Sequence, residues 1–291
     1  MLKLNKQLIQ TLCKQYGMYP SSKLGQNFLI DSRVLQHILK VADIQPNDLV
    51  LEIGAGFGTL SVEMALLAKK VVAVEFDRRL CDGLQHIFLG KENVEIICAD
   101  ILKLDNKHLA ERLDLIGQGS ADYQVIANIP YHITAPILKK FLEEEPKPRR
   151  MLILAQYEVA QRITAKPGAM SVLAISAQLL SKPRLVTKIS KTSFWPQPEV
   201  DSALMDMSDI LTNTEVENRI GVPLQTFFKL VKIGFSSRRK ILANNLESGY
   251  QVQKLEALDW LTQCALLPKI RAQELGVEEW ARLARHLVAV S

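Results

Sequence analysis

Leu49-Val50-Leu51-Glu52-Ile53-Gly54-Ala55-Gly56-Phe57-Gly58 is the stretch whose reading decides the fold. A nearly continuous apolar run reads as a strand covered on both faces. The glycines behind it allow a tight turn and let a ligand approach the backbone closely. A helical period follows over 60–68. Working outward, further β-rich runs lie at 70–74, 94–98, 123–127 and 151–154, with amphipathic helical stretches at 80–89 and 135–142. This alternation predicts an α/β chain with a doubly wound parallel sheet. Two later runs, 185–189 and 200–207, fit an antiparallel edge.

Past Asp209-Ile210-Leu211-Thr212-Asn213 the pattern turns helical, at 224–235, 238–246, 254–264 and 277–290. Pro223 and Pro268 sit where helices begin or stop. The expected organisation is therefore a catalytic α/β domain over 1–209 and a small all-helical domain over 210–291. Pro146-Lys147-Pro148-Arg149-Arg150 reads as a short exposed connector. No repeats or low-complexity tracts are visible.

The 291 residues suffice for one α/β domain and a smaller appendage. Hydrophobic residues at 48% and charged residues at 23% exclude long disorder. A net charge of +5 is mildly basic and compatible with a nucleic-acid partner, so the placement of the cations matters more than the total. Cys13, Cys81, Cys98 and Cys264 show no metal-ligand spacing, which predicts neither a zinc site nor a disulfide framework and points to a reducing compartment. The N-terminus lacks a signal-peptide core, and no apolar run nears the roughly 20 residues needed to cross a bilayer. The expectation is a cytoplasmic protein with no membrane partner.

Three acidic residues fall at consecutive strand ends: Glu52 before the glycine loop, Glu75 after the second strand, and Asp100 after the third. They line the carboxyl edge of the sheet, where such folds bind ligands. Glu75 suits a ribose diol and Asp100 an adenine amino group, although both residues also serve as strand caps. A nicotinamide dinucleotide is the competing ligand. Its fingerprint is G-x-G-x-x-G. Here the spacing is G-x-G-x-G, and Glu52 would face a pyrophosphate. A ligand with an ammonium and a sulfonium has no such conflict, which favours S-adenosylmethionine.

Asn128-Ile129-Pro130-Tyr131 ends the fourth strand. Proline fixes its own φ and biases the residue before it toward extended geometry. Such a turn can aim the Asn128 amide oxygen and the Ile129 carbonyl at one point, beside the Tyr131 ring. Two acceptors and a flat ring suit the exocyclic amino group of adenine. That nitrogen is a poor nucleophile because its lone pair is delocalised, and acceptors for its hydrogens stabilise charge as it develops. A tight turn with a buried tyrosine is the plainer alternative.

These motifs together resemble the adenine N6,N6-dimethyltransferases of small-subunit (16S) ribosomal RNA, the KsgA type. Lys23-Leu24-Gly25-Gln26-Asn27-Phe28-Leu29 is similar to that family's N-terminal cofactor motif. The glycine loop, Glu75, Asp100 and Asn128-Ile129-Pro130-Tyr131 follow in family order. Gln156 to Arg162, Phe194-Trp195-Pro196-Gln197-Pro198-Glu199-Val200-Asp201-Ser202, Phe235 to Lys240 with Asn244-Asn245-Leu246, and Arg271 to Leu275 carry it onward. One departure is Glu199, where a lysine is expected.

The resemblance implies a Rossmann-like class I S-adenosylmethionine-dependent methyltransferase. Cofactor contacts fall at Asn27, Leu29, Gly54, Glu75, Asp100 and Asn128. The catalytic set is Asn128, Ile129, Pro130 and Tyr131, with Phe194 a second aromatic wall. RNA contacts fall at Lys229, Lys232, Arg238, Arg239 and Lys240, with Arg149, Arg150, Arg162 and Lys166 as further candidates. His132 is taken as structural, and no metal is expected. The implied substrate is a pair of adjacent adenosines in the 3′-terminal hairpin of small-subunit rRNA, met in an immature small subunit. A monomer is expected, because nothing in the sequence suggests an interface. A large-subunit rRNA methyltransferase of the macrolide-resistance type and a largely non-catalytic assembly factor are the alternatives.

Overall fold

The computed structural model describes residues 5–21, 24–115 and 122–290. Lys23 of the N-terminal motif lies outside them. The chain divides into two compact units, Met1–Ala160 with Arg184–Ile210, and Gln161–Pro183 with Leu211–Ser291.

The first unit holds helices α1 (Lys6–Gln15), α2 (Ser32–Ala42), α3 (Thr59–Met64), α4 (Arg78–Ile87), α5 (Asn106–Arg112) and α6 (Thr134–Glu143). A short strand β1 (Phe28–Leu29) pairs with β8 (Phe194–Trp195). The main strands are β2 (Leu49–Ile53), β3 (Lys70–Glu75), β4 (Val94–Cys98), β5 (Tyr123–Asn128), β6 (Arg150–Gln156), β7 (Lys182–Ile189) and β9 (Ser202–Ser208). They form one seven-stranded sheet in the order β4-β3-β2-β5-β6-β9-β7. β2 to β6 run parallel, and β9 runs antiparallel to β6. This is the doubly wound sheet with a reversed edge that the periodicity predicts. Val71 to Val74 and Val125 to Ala127 are buried throughout, as covering on both faces requires.

Strand order reverses at β2, which has β3 on one side and β5 on the other. A crevice opens at such a reversal, beyond the carboxyl ends of the two strands. The glycine loop follows β2, and the Asn128 turn follows β5. Gly54, at φ 72°, needs glycine because its backbone is left-handed, and it packs against the Asn128 carbonyl oxygen.

Two expectations are corrected in this unit. Cys81 and Cys98 are disulfide-linked, with Cα atoms 5.8 Å apart. Helix α4 packs back on β4, so residues far apart in sequence meet. The connector 146–150 is not simply exposed either. Lys147 is 6% exposed. Arg150 pairs with Asp206 at 2.7 Å and donates to the Val41 and Ala42 carbonyls that end α2. Arg149 pairs with Asp48 at 2.7 Å and Asp122 at 3.0 Å. Both arginines stand at the start of β6, the sheet edge opposite the crevice, with their charges engaged. They are therefore withdrawn as RNA contacts.

The chain leaves the first unit within α7 (Tyr157–Ile163). The second unit contains α8 (Val172–Leu180), α9 (Asn213–Ile220), α10 (Leu224–Gly234), α11 (Leu242–Tyr250), α12 (Lys254–Gln263) and α13 (Val277–Val290). Trp280 of α13 is fully buried against Gly234, where a Cβ would run into its ring. The sequence boundary near 210 leaves residues 161–183 with the sheet, whereas compactness groups them with these helices. Helix α11 begins later than the expected 238. Its first amide, Leu242 N–H, donates to the Ile270 carbonyl at 2.7 Å. That bond fixes the start of the helix and leaves 236–240 in the preceding turn.

Candidate active site

The crevice beyond β2 and β5 is a cavity of about 320 Å3, within the roughly 300–1,000 Å3 usual for ligand pockets. Asn27, Leu29, Gly54, Glu75, Asp100, Asn128, Ile129, Pro130 and Tyr131 all line it, together with Glu52. Phe194 does not. It is 3% exposed and packs in the core beneath the β1–β8 pair. Its backbone pairs with Leu29, so the two sequence motifs that looked separate form one small sheet beside the pocket.

Glu75 ends β3 and is 7% exposed. Its carboxylate accepts from the backbone N–H groups of Gly56, Phe76 and Asp77 at 2.8 to 2.9 Å. Burial pushes its pKa up, against the pull of those three donors. Glu75 thus ties the glycine loop to the end of β3 and still borders the cavity. Asp100 accepts from Leu102 N–H at 3.1 Å and caps a short 3-10 turn.

Glu52 is 2% exposed. The Ser61 hydroxyl donates to it. Burial, aided by the charge of Glu75 and opposed by Ser61, pushes its pKa up to about 8. A neutral acid therefore sits at the end of β2 in the ligand-free protein, and it would ionise once a cation was placed against it.

The acceptor turn is oriented by the N-terminal segment. Asn128 Nδ2 donates to the Asn27 carbonyl at 3.1 Å. A backbone carbonyl can only accept, so this contact fixes which way the amide faces. Asn128 Oδ1 and the Ile129 carbonyl accept no hydrogen bond among the described residues. The Tyr131 hydroxyl is bonded to Ser202 Oγ at 2.7 Å. Burial and the nearby Asp201 charge push the Tyr131 phenol up, against that bond, so it stays protonated. His132 packs over Gly25, where a Cβ would lie 3.2 Å from its Nδ1.

Sequence reasoning missed two residues here. Phe76 lines the cavity with 61% of its surface exposed, a large apolar ring without a core to fill. Its signal was an aromatic placed directly after the acidic strand end. Gln26 donates to Asp77 at 3.2 Å and latches the N-terminal segment to the start of α4. Burial would raise the Asp77 pKa, but hydrogen bonds from Arg79 and Gln26 hold it below the usual range.

In the second unit Lys229, Lys232, Arg238, Arg239 and Lys240 are all exposed, and none makes an ion pair among the described residues. The turn that carries the last three is held by Asn245, 2% exposed. Its Nδ2 donates to the Gly234 carbonyl at 2.6 Å and the Ser237 carbonyl at 3.1 Å. Arg162 and Lys166 are exposed as well. Among the described residues no group of three or more His, Cys, Asp or Glu side chains is placed to hold a metal. No helix there is long and apolar enough to cross a membrane.

Known proteins resemble the chain over nearly its whole length. The sequence model of the family described as ribosomal RNA adenine dimethylase matches residues 20–288. A Dehalococcoides mccartyi protein called ribosomal RNA small subunit methyltransferase A is 39% identical over 268 residues, covering 92% of this chain and 88% of that protein. A dimethyladenosine transferase from Plasmodium falciparum superposes with a TM-score of 0.71 at 26% identity, over 88% of this chain and 95% of the other. The 23S rRNA methyltransferase ErmE superposes with a TM-score of 0.67 at 25% identity, over 90% and 100% of the two chains. On the family match and the small-subunit relative together, the chain belongs to the ribosomal RNA adenine dimethylase family.

Proposed function

We infer that the crevice between the glycine loop and the Asn128 turn holds S-adenosylmethionine with the target adenine of small-subunit rRNA beside it. The family acts with that cofactor, and the chain is an rRNA adenine dimethyltransferase. The cavity suits the group. It offers an acid that ionises against an ammonium (Glu52), acidic strand ends for a ribose and an amino group (Glu75 and Asp100), and an uncommitted aromatic face (Phe76). When bound, the cofactor supplies an electrophilic methyl on a sulfonium.

One observation carries the acceptor side: the Asn27 carbonyl turns the Asn128 amide so that Oδ1, like the Ile129 carbonyl, has no partner among the described residues. These two oxygens accept the N6 hydrogens as the nitrogen pyramidalises. Tyr131 stacks on the base, a contact worth roughly 1–3 kcal/mol and able to hold an extruded adenine. After attack, the proton on nitrogen is strongly acidic and leaves to water, so no dedicated base is needed. The basic turn of the second unit holds the RNA backbone. The substrate we propose is the pair of adjacent adenosines in the 3′-terminal hairpin, within an immature small subunit. The enzyme acts as a monomer in the cytoplasm, away from membranes.

Transfer of labelled methyl to small and large ribosomal subunits lacking these modifications is the test. Label recovered as dimethyladenosine in small-subunit RNA alone is the expected result. Label in large-subunit RNA would move the substrate assignment. Asn128→Ala should lose transfer while keeping RNA affinity, whereas an assembly factor acting only by binding would be indifferent.

A further inference from the structure

The Tyr131 ring is a lever held at both ends. Its backbone opens a short 3-10 turn over Tyr131–Ile133. The Ile133 N–H donates to the Pro130 carbonyl at 3.1 Å, and the Thr134 hydroxyl donates to the Tyr131 carbonyl at 3.2 Å. Beyond that fixed backbone the side chain still turns about its χ1 and χ2 bonds, and a half-buried ring on a cavity wall tilts about them unless its tip is held. Ser202 holds the tip, with its Oγ 2.7 Å from the Tyr131 hydroxyl. Ser202 is fully buried, and its hydroxyl has no other partner among the described residues. A buried hydroxyl left without a partner is costly, so the bond favours one placement of the ring.

The anchor itself belongs to the sheet. Ser202 opens β9 opposite Gln156 of β6. Two residues earlier on β6, Leu154 stands opposite Asn128 of β5, and its carbonyl accepts from the Ile129 N–H at 3.3 Å. The support of the ring and the acceptor oxygens are thus set from neighbouring rungs of one ladder. Asp201, just before Ser202, is tied down as well. Its carboxylate accepts from the Lys191 N–H at 3.0 Å and pairs with Lys188 at 2.8 Å, and its carbonyl accepts from the Tyr157 N–H at 3.0 Å. The anchor is fixed and the ring is hinged, so placement passes from the anchor to the ring. Methyl transfer needs the attacking nitrogen in line with the methyl–sulfur bond, and a base that tilts with its ring loses that alignment.

We propose that Ser202 is a positioning residue for methyl transfer. Through its hydroxyl it fixes the Tyr131 ring, and through the ring it sets the plane of the target adenine against the Asn128 and Ile129 acceptors. The inference rests on the stacking role given to Tyr131 above. It also gives the phenol hydroxyl a task, since stacking alone needs only the ring.

The test measures single-turnover methyl transfer to unmethylated small subunits, at saturating S-adenosylmethionine and RNA. The proteins compared are the wild type, Ser202→Ala, Tyr131→Phe, the double variant of these two, and Tyr131→Ala. Ser202→Ala and Tyr131→Phe should each lose about tenfold in rate, the order expected for one hydrogen bond that positions a reactant. KM for the small subunit and S-adenosylmethionine affinity should hold in both. The double variant should be no slower than the slower single variant, because both changes remove the same bond. A serine that merely props the core would cost the same factor with Phe at 131 as with Tyr, so losses that multiply would overturn the proposal. A wild-type rate in either single variant would overturn it too, and Tyr131→Phe, which keeps the ring, decides the matter if Ser202→Ala does not fold. Tyr131→Ala separates the two readings. A wild-type rate there would overturn the stacking role, and this inference with it. A large loss in Tyr131→Ala beside an unimpaired Tyr131→Phe would overturn the role of Ser202 alone.

Discussion

Glu52 carries the clearest electrostatic consequence at the residue scale. Its folded pKa is raised from the ordinary 4.5 to about 8, chiefly by burial. Between those values the native protein holds a proton that the unfolded chain has released. Stability of the ligand-free protein therefore falls as pH rises across that window. Glu52→Gln keeps the shape and can never ionise. In thermal melts from pH 5 to pH 9 the variant should show a shallower loss of Tm than the wild-type protein, and equal slopes would refute the assignment. The same variant should bind S-adenosylmethionine more weakly, because the amide cannot balance an ammonium. Asn128 offers a second test. Asn128→Asp is nearly isosteric but sets a carboxylate against the Asn27 carbonyl, so the donor that orients the side chain is gone. Loss of one positioned hydrogen-bonding group in a transition state costs about 100-fold or more in kcat. Single-turnover rates should fall by that order while RNA affinity holds, and a smaller loss would mean that the bond to the Asn27 carbonyl is not what orients the acceptor.

At the scale of elements, two polar side chains hold pieces of the fold that sequence patterns leave undefined. Arg150 joins the start of β6 to the end of α2 and to Asp206 on β9. Arg150→Ala should cost about 2 kcal/mol in denaturant unfolding, the scale of hydrogen bonds to a charged group, and leave RNA affinity unchanged. An RNA defect without a stability loss would restore its reading as an RNA contact. Asn245 does similar work at the basic turn, where its amide satisfies the carbonyls of Gly234 and Ser237. The central strands and the site at their ends were legible because apolar runs and acidic strand ends are local signals. Phe194 was misplaced because burial depends on what packs around it, and β1 and β8 are too short to show a period. The start of α11 was missed for a similar reason, since a bond to the distant Ile270 carbonyl sets it. The disulfide escaped because Cys81 and Cys98 meet only once α4 has packed on the sheet.

The whole molecule is a sheet unit with a cavity at its carboxyl edge and a helical unit whose basic turn makes no ion pair among the described residues. The boundary near 210 was visible as a change of period. The allegiance of 161–183 was not, because it depends on which helices α8 packs against. The two units invite a division of labour that kinetics can separate. Cations that neutralise phosphates release counterions, so the logarithm of affinity falls with the logarithm of salt by about 0.7 to 0.9 per contact. Replacing Arg238, Arg239 and Lys240 together by alanine should lower RNA affinity and flatten that slope by up to about 2 to 3. All three side chains are exposed, so the fold should survive. S-adenosylmethionine binding should be untouched, and kcat at saturating RNA should hold while KM rises. An unchanged salt slope would show that the basic turn is merely a solvated face and that the RNA is held elsewhere. A fall in kcat at saturating RNA would show instead that the turn also positions the target adenine, and that the two units do not divide binding from chemistry.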